Sequence, residues 1–298
     1  MNIEYLPKGA IPDSPDERDY KIETLGALPP VDWSKRSGIT PPLINDQGSS
    51  DSCVSQAFSY YHQVLKGKDF SRRDLFARIA QNYGAAIRDG GLAIVKQGQA
   101  TRDEVSDPSP ETPQNMRDKT GITLQVESSD QELSSFVLPP DIDSVASAIL
   151  AYKGVVFGVT GSNPGWQDLT NPRPPQSGEA TWGHALYAYD FHIHDGLKCI
   201  IALPSWSGVS EHHIKEDYFK SGNTFNPWTL IPKGQTMQLI RDTGTVYLVA
   251  GQNQKVKTGI ADPSALAALF GDEPIIDGDT SSIPETQTLA GGFIIHKK

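Results

Sequence analysis

The hydrophobic pattern changes its period near the middle of the chain, and this change restricts the fold more than any other feature. Apolar residues recur at helical spacing after Cys53, after Ser71 and after Asp141, so each of these helices buries one face. From Val155 onward the pattern becomes β-branched and aromatic runs, with Asp195-Gly196 as a hairpin turn between two of them. Helices followed by antiparallel strands predict an α+β body with two lobes.

The two ends of the chain differ from this body. Residues 1–30 are rich in Pro, Asp and Glu, and X-Pro steps favour extended backbone, so we predict an extended N-terminal arm. Residues 31–235 form the predicted globular body. Residues 236–298 carry a strand pattern, a helix pattern beginning at Asp262 and a final apolar run. We therefore predict a small C-terminal α+β extension with a tail.

The composition excludes several classes of protein. With 26 basic and 36 acidic side chains, the net charge of −10 offers no basic surface for nucleic acid or for an anionic membrane. No stretch approaches the ~18 apolar residues of a membrane span. The first residues lack the pattern of a Sec signal peptide, so we expect the chain to be cytoplasmic at synthesis. A short run in the tail would be costly to expose and is expected to dock on this chain or on a protein partner: Phe293, Ile294 and Ile295.

Cys53 opens a predicted amphipathic helix. There its sulfur would lie near unpaired N–H groups and the positive end of the helix dipole, which favour the thiolate. Gln47, six residues upstream, offers a neutral amide donor that suits an oxyanion, with the backbone N–H of Cys53 as a second donor. His184 begins a predicted strand and would take the proton of such a thiol. Taken alone, the Cys53 segment is equally compatible with a buried, inert cysteine.

The order and spacing of these residues resemble the papain family of cysteine peptidases. Pro30-Val31-Asp32-Trp33 resembles the start of the mature domain, and residues 11–20 resemble the arm of bacterial and viral members, which lack a long inhibitory propeptide. Ser205-Trp206-Ser207-Gly208 resembles the Ser-Trp-Gly that follows the third catalytic residue. The resemblance covers residues 11–233. It implies a papain-like fold in which a cleft separates a helical lobe from an antiparallel β lobe.

The resemblance also implies roles for individual residues. Cys53 would attack a peptide carbonyl, His184 would hold and donate the proton, and Gln47 would stabilise the oxyanion. This acyl-enzyme mechanism needs no metal and no cofactor. Four further residues are expected to bind the peptide or protein substrate: Gly90 and Gly91 as a short backbone strand, Asp51 beside the nucleophile, and Trp206.

Two positions depart from the family pattern. Pro204 stands where the family has an Asn that orients the imidazole, and proline has no side-chain acceptor. Asp51 stands where the family usually has a pocket-lining Gly. A carboxylate there would raise the thiol pKa and attract a basic substrate side chain, or it would turn outward and cap the helix.

The sequence therefore predicts a cysteine-type endopeptidase. The alternative is a papain-like scaffold, weakened or retired in catalysis, that serves as a binding or structural module. A component of a phage particle is one example, and it would place the chain in a virion.

The other candidate residues are expected to be structural. His192 and His194 point to one side of a predicted strand, as metal ligands would, but the sequence shows no third ligand, so a solvated hairpin is the expectation. His212-His213 is expected at the surface or in packing between the lobes. Cys199 is expected to be a buried, inert thiol in a strand.

Overall fold

The structure is a computed structural model that describes most of the first 232 residues and the backbone of four later strands. The described ranges are 9–17, 19, 21–22, 28–122, 131–132, 134–167, 172–176, 178–209, 211–232, 238–242, 245–250, 256–260 and 275–277. The chain divides into two compact units, one formed by residues 1–19 and 29–232 and the other by residues 20–28 and 233–298. The predicted C-terminal tail and the helix predicted from Asp262 lie outside the described residues.

The helices predicted after Cys53, Ser71 and Asp141 begin where the sequence pattern predicts them, and the described part of this unit contains three further α-helices that were not predicted. Ser71 caps the second helix by accepting a hydrogen bond from the Asp74 N–H, and Asp141 caps the fifth by accepting one from the Ser144 N–H. Their bounds are α1 Cys53–Lys66, α2 Arg72–Ile79, α3 Ile87–Gln97, α4 Pro113–Met116, α5 Ile142–Tyr152 and α6 Glu216–Lys220. A short 3₁₀ helix covers Pro164–Gln167.

The strands of the first unit form a two-stranded parallel sheet and a six-stranded antiparallel sheet. The parallel pair is β1 with β2, and the large sheet has the order β3-β8-β4-β5-β6-β7. The bounds are β1 Ala10–Ile11, β2 Ala85–Ala86, β3 Ser134–Val137, β4 Val155–Gly161, β5 Trp182–His194, β6 Leu197–Leu203, β7 His212–Lys215 and β8 Thr224–Ile231. Helices followed by an antiparallel sheet confirm the predicted α+β class.

The core of the first unit forms where α1 packs against β5. Ten of the fourteen residues of α1 are buried, so this helix is enclosed on most of its surface. The ring of Tyr61 stacks on that of Tyr187, with 5.4 Å between the centroids. The Tyr61 hydroxyl contacts the Tyr152 carbonyl at 2.7 Å and the Thr229 hydroxyl at 2.9 Å. These contacts fix the middle of α1 relative to β5, α5 and β8.

The second unit contains a four-stranded sheet with the order β11-β10-β9-β12. Its strands are β9 Gln238–Asp242, β10 Thr245–Ala250, β11 Val256–Ile260 and β12 Ile275–Asp277. The strand predicted at Val246–Val249 is confirmed as part of β10. None of the described helices is long and apolar enough to cross a lipid bilayer.

Candidate active site

Cys53 is the first residue of α1, and its side chain is fully buried. Ser52 is the N-cap residue, but its side chain makes no capping hydrogen bond. The backbone N–H of Ala185, the residue that follows His184 on β5, acts on the Cys53 thiol and lowers its pKa. The fold therefore brings the predicted nucleophile to the strand segment that carries the predicted base.

The Cys53 thiol is neutral in this environment. Burial raises its pKa to about 12, and the neighbouring Asp51 carboxylate acts in the same direction. Backbone N–H groups, including those of Val54 and Cys53 at the helix start, lower the pKa by less. The predicted thiolate is therefore wrong for this state, because desolvation outweighs the helix terminus.

His184 is also buried, and the Trp206 ring covers one face of it. The two rings are stacked with 4.0 Å between their centroids and 19° between their planes. Trp206 itself lies edge-on against Trp182 and Trp166. Trp206, predicted as a substrate-binding residue, thus fixes the plane of the imidazole. Pro204 lies two residues before Trp206, directly after β6.

Gln47 is buried in the loop before α1 and joins that loop to the Trp206 segment. Its side-chain oxygen accepts a hydrogen bond from the Ser205 hydroxyl, and its backbone N–H donates to the Ser205 carbonyl at 3.0 Å. Its side-chain nitrogen donates to the Ser50 carbonyl at 2.7 Å. An amide nitrogen carries two hydrogens, so this contact uses one of them.

The Asp51 carboxylate is neutralised by a cation from this chain. Arg117 donates to both carboxylate oxygens, with 2.9 Å to one of them, and the Gly84 backbone N–H donates at 2.7 Å. The predicted helix cap is wrong, because Ser52 is the N-cap and Asp51 binds groups outside α1. Arg117 was not predicted, since it lies 66 residues further along the chain.

Residues of the N-terminal arm cross the site. The Ala85 N–H of β2 donates to the Gly9 carbonyl at 2.8 Å, and the Gly9 N–H donates to the Gly183 carbonyl, next to His184, at 3.2 Å. A Cβ atom on Gly9 would lie 2.0 Å from the Asp51 carbonyl oxygen, so the arm backbone is closely packed there. Ala10 is buried in the same apolar cluster as Cys53. The arm thus packs against the Asp51 backbone and the start of β5, the two segments that flank Cys53 and His184.

Asp13 and Arg88 anchor the arm beyond this crossing. The Asp13 carboxylate accepts hydrogen bonds from the Trp228 indole N–H at 2.9 Å and from the Arg88 backbone N–H at 3.2 Å. The Arg88 guanidinium donates to the Ser14 carbonyl at 2.6 Å and forms an ion pair with Asp19. Burial raises the pKa of Asp13.

Gly90 and Gly91 do not form the strand that the sequence predicted. Both are buried within α3, and a Cβ atom on Gly90 would lie 2.5 Å from the Phe58 side chain of α1. That strand prediction is wrong because these glycines serve helix packing. The backbone strand at this edge of the site is β2, Ala85–Ala86, which the sequence did not indicate.

Glu111 supports the loop before Cys53 and was not predicted. Its carboxylate accepts hydrogen bonds from the side-chain amides of Asn45 at 2.9 Å and Gln56 at 2.7 Å. Its backbone carbonyl accepts a hydrogen bond from the Ser49 N–H at 3.1 Å. Burial raises the pKa of the Glu111 carboxyl to about 7. No local sequence signal marks this residue.

Comparison with known proteins shows the fold. The sequence matches no protein-family model and no curated protein. Among solved structures, xylellain, a cysteine protease from Xylella fastidiosa, aligns with a TM-score of 0.61 and 19% identity over 77% of this chain and 97% of its own. Procathepsin B S9 from Trypanosoma congolense aligns with a TM-score of 0.58 and 12% identity over 77% of this chain and 88% of its own. Bromelain from Ananas comosus aligns with a TM-score of 0.52 and 14% identity over 68% of this chain and 100% of its own. The chain has the papain-like fold.

Proposed function

We propose that this chain is a cysteine peptidase that hydrolyses peptide bonds through Cys53 and His184, and that its N-terminal arm holds it in a latent state. The observation that carries the proposal is the meeting of the α1 start with the β5 start. There α1 packs against β5, and the backbone N–H of Ala185, the residue after His184, acts on the Cys53 thiol. This arrangement, in a papain-like fold, supports thiol chemistry at that point.

The proposed reaction uses groups of this chain alone. The Cys53 proton passes to His184, and the sulfur attacks the carbonyl carbon of the substrate. The oxyanion accepts hydrogen bonds from the Cys53 backbone N–H and the remaining N–H of the Gln47 amide. The imidazolium then donates its proton to the leaving amine, and a thioester remains on Cys53. Water, deprotonated by His184, hydrolyses the thioester and restores the thiol.

Latency follows from what the arm occupies. The backbone groups of β2 and Gly183 form hydrogen bonds with Gly9, so an extended substrate cannot pair with them at the same time. Because burial raises the pKa of Cys53 to about 12, release of the arm is expected to lower it by admitting water. The β2 edge, Ala85 and Ala86, then becomes the proposed substrate-pairing strand.

The test labels Cys53 with an electrophilic peptide-like probe in the full chain. Asp13→Ala removes the hydrogen bonds that the Asp13 carboxylate accepts, which together stabilise the bound arm by about 1.5–3 kcal/mol. Because the arm is then released more often, we expect labelling to be roughly 10–100-fold faster than in the wild type. Glu17→Ala is the matched control, since Glu17 is an exposed acid in the same arm. Cys53→Ala should abolish both labelling and turnover of a fluorogenic peptide library.

Two outcomes would count against the proposal. If folded Asp13→Ala neither reacts with the probe nor cleaves any peptide of the library, the chain is a scaffold without catalysis. If Asp13→Ala and Glu17→Ala are labelled at the same rate as the wild type, the arm does not control access to Cys53.

A further inference from the structure

Three imidazoles meet at one end of the six-stranded sheet. His192 and His194 lie on β5, and His213 lies on β7, with β6 between these two strands. One ligand atom from each histidine lies within 4.8 Å of the other two. The sequence predicted that the first two histidines share one side of a strand, and the fold adds a third histidine from a distant segment.

We propose that His192, His194 and His213 bind a divalent transition metal ion, with Zn²⁺ as the ion that the geometry favours. The Nε2 atom of His192 lies 3.2 Å from the Nδ1 atom of His213. Two nitrogens at ~2.0–2.1 Å from one tetrahedral zinc ion are separated by about 3.3 Å. The observed separation therefore matches two ligands of one ion, and imidazole nitrogen suits Zn²⁺, Cu²⁺ and Ni²⁺.

The groups behind His213 form the support that metal-binding histidines use. With Nδ1 directed at the ion, the Nε2–H of His213 donates to a Glu211 carboxylate oxygen at 3.1 Å. The other oxygen of Glu211 accepts a hydrogen bond from the Tyr189 hydroxyl. A carboxylate on the far nitrogen fixes the tautomer and ring orientation of a ligand histidine and increases its basicity. This arrangement needs no rearrangement of His213.

The charges around the cluster are compatible with a cation. Arg36 is a nearby positive group, and it forms a 2.6 Å ion pair with Asp190. The Asp195 carboxylate lies 3.3 Å from Nε2 of His194, so it adds negative charge.

The cluster is separate from the proposed active site. His184 lies near the start of β5 and His192 near its end, and eight residues of strand at ~3.3 Å each span about 26 Å. An ion there would tie β5 to β7 across β6 and take no part in chemistry at Cys53. The proposal is therefore independent of peptidase activity.

The direct test is calorimetric titration of ZnCl₂ into the metal-free full chain carrying Cys53→Ala, which removes the active-site thiol as a competing ligand. We expect one Zn²⁺ per chain, loss of that binding in His213→Asn, and about 10–100-fold weaker binding in Glu211→Gln. Ile193→Thr is the matched control, because Ile193 lies between two of the ligands and is 45% exposed. No binding, or unchanged binding in folded His213→Asn, would overturn the site and leave only a hydrogen bond between the imidazoles of His192 and His213.

A second measurement keeps all three histidines in place. Cu²⁺ bound to the Cys53→Ala chain should give an electron paramagnetic resonance spectrum with hyperfine splitting from three nitrogens. A spectrum with fewer nitrogen ligands, or with a sulfur ligand, would contradict the assignment.

Discussion

Cys53 and Glu111 are two ionisable side chains of the same buried region, and burial favours the protonated form of both. Burial raises the pKa of the thiol from 9.0 to about 12 and that of the carboxyl from 4.5 to about 7. A helix terminus contributes roughly 0.3–1 kcal/mol, which is less than one pKa unit. The dipole at the start of α1 therefore does not offset the desolvation of Cys53.

The pH dependence of stability should report the burial of Glu111. Its folded pKa lies above its unfolded value, so the native state binds more protons between pH ~4.5 and ~7. Protonation of Glu111 therefore contributes roughly 3 kcal/mol to the free energy of unfolding below this pH window, and this contribution is lost as the pH rises through the window. Urea unfolding at pH 5 and pH 8 should show a smaller difference between the two pH values in Glu111→Gln than in the wild type.

The control for this measurement is Glu17→Gln, which alters an exposed acid and should leave the pH dependence unchanged. An equal pH dependence in Glu111→Gln and the wild type would mean that Glu111 is ionised in the folded protein throughout this range.

Local sequence pattern located Cys53 and His184 because their positions depend on where one helix and one strand begin. It did not place Arg117 or Glu111. Their partners in the Cys53 loop lie 66 and 59 residues away in sequence, and only tertiary packing brings them together. His213 was missed as a neighbour of His192 for the same reason.

At the scale of elements, substitution of the two glycines of α3 can distinguish a role in helix packing from a role in substrate binding. A Cβ atom on Gly90 would lie 2.5 Å from Phe58, whereas one on Gly91 would have its nearest neighbour, the Ser135 Cβ, at 3.2 Å. Overpacking costs about 1–3 kcal/mol, and Gly→Ala in a helix returns about 1 kcal/mol. Thermal unfolding should show a lower melting temperature for Gly90→Ala than for Gly91→Ala.

The same pair of variants can also contradict the packing role. If both substitutions leave the melting temperature unchanged and instead raise KM for peptide substrates, the glycines line the cleft as the sequence had predicted.

The two short strands that cross the site, β1 and β2, were not predicted from the sequence because of their length. β1 and β2 contain two residues each, too few for the alternation of apolar and polar side chains by which a strand is predicted. They are defined by hydrogen bonds to Gly9 and by close backbone approach at Gly84, where a Cβ atom would lie 1.7 Å from the Gly9 carbonyl oxygen.

At the scale of the whole molecule, the change from helical to strand periodicity predicted the class of the fold but not the order of its sheet. The order β3-β8-β4-β5-β6-β7 inserts β8 between β3 and β4. That arrangement depends on which edges remain open once neighbouring strands have paired. The same order places β6 between the histidines of β5 and β7.

The first unit should fold and remain latent without the second. Its sheet has both edge strands, β3 and β7, within residues 29–232, and the contacts of Asp13 and Arg88 that hold the arm also lie in the first unit. A chain ending at Pro232 should therefore keep a cooperative thermal transition and the slow labelling of Cys53 that we expect for the full chain.

The Asp13→Ala variant of this shorter chain provides the internal control, since it should be labelled as fast as Asp13→Ala in the full chain. Fast labelling of the shorter chain without Asp13→Ala would show that the second unit, to which residues 20–28 belong, is needed to hold the arm. Loss of the cooperative transition would show that the first unit depends on the second for its stability, because its own sheet and core would then be insufficient.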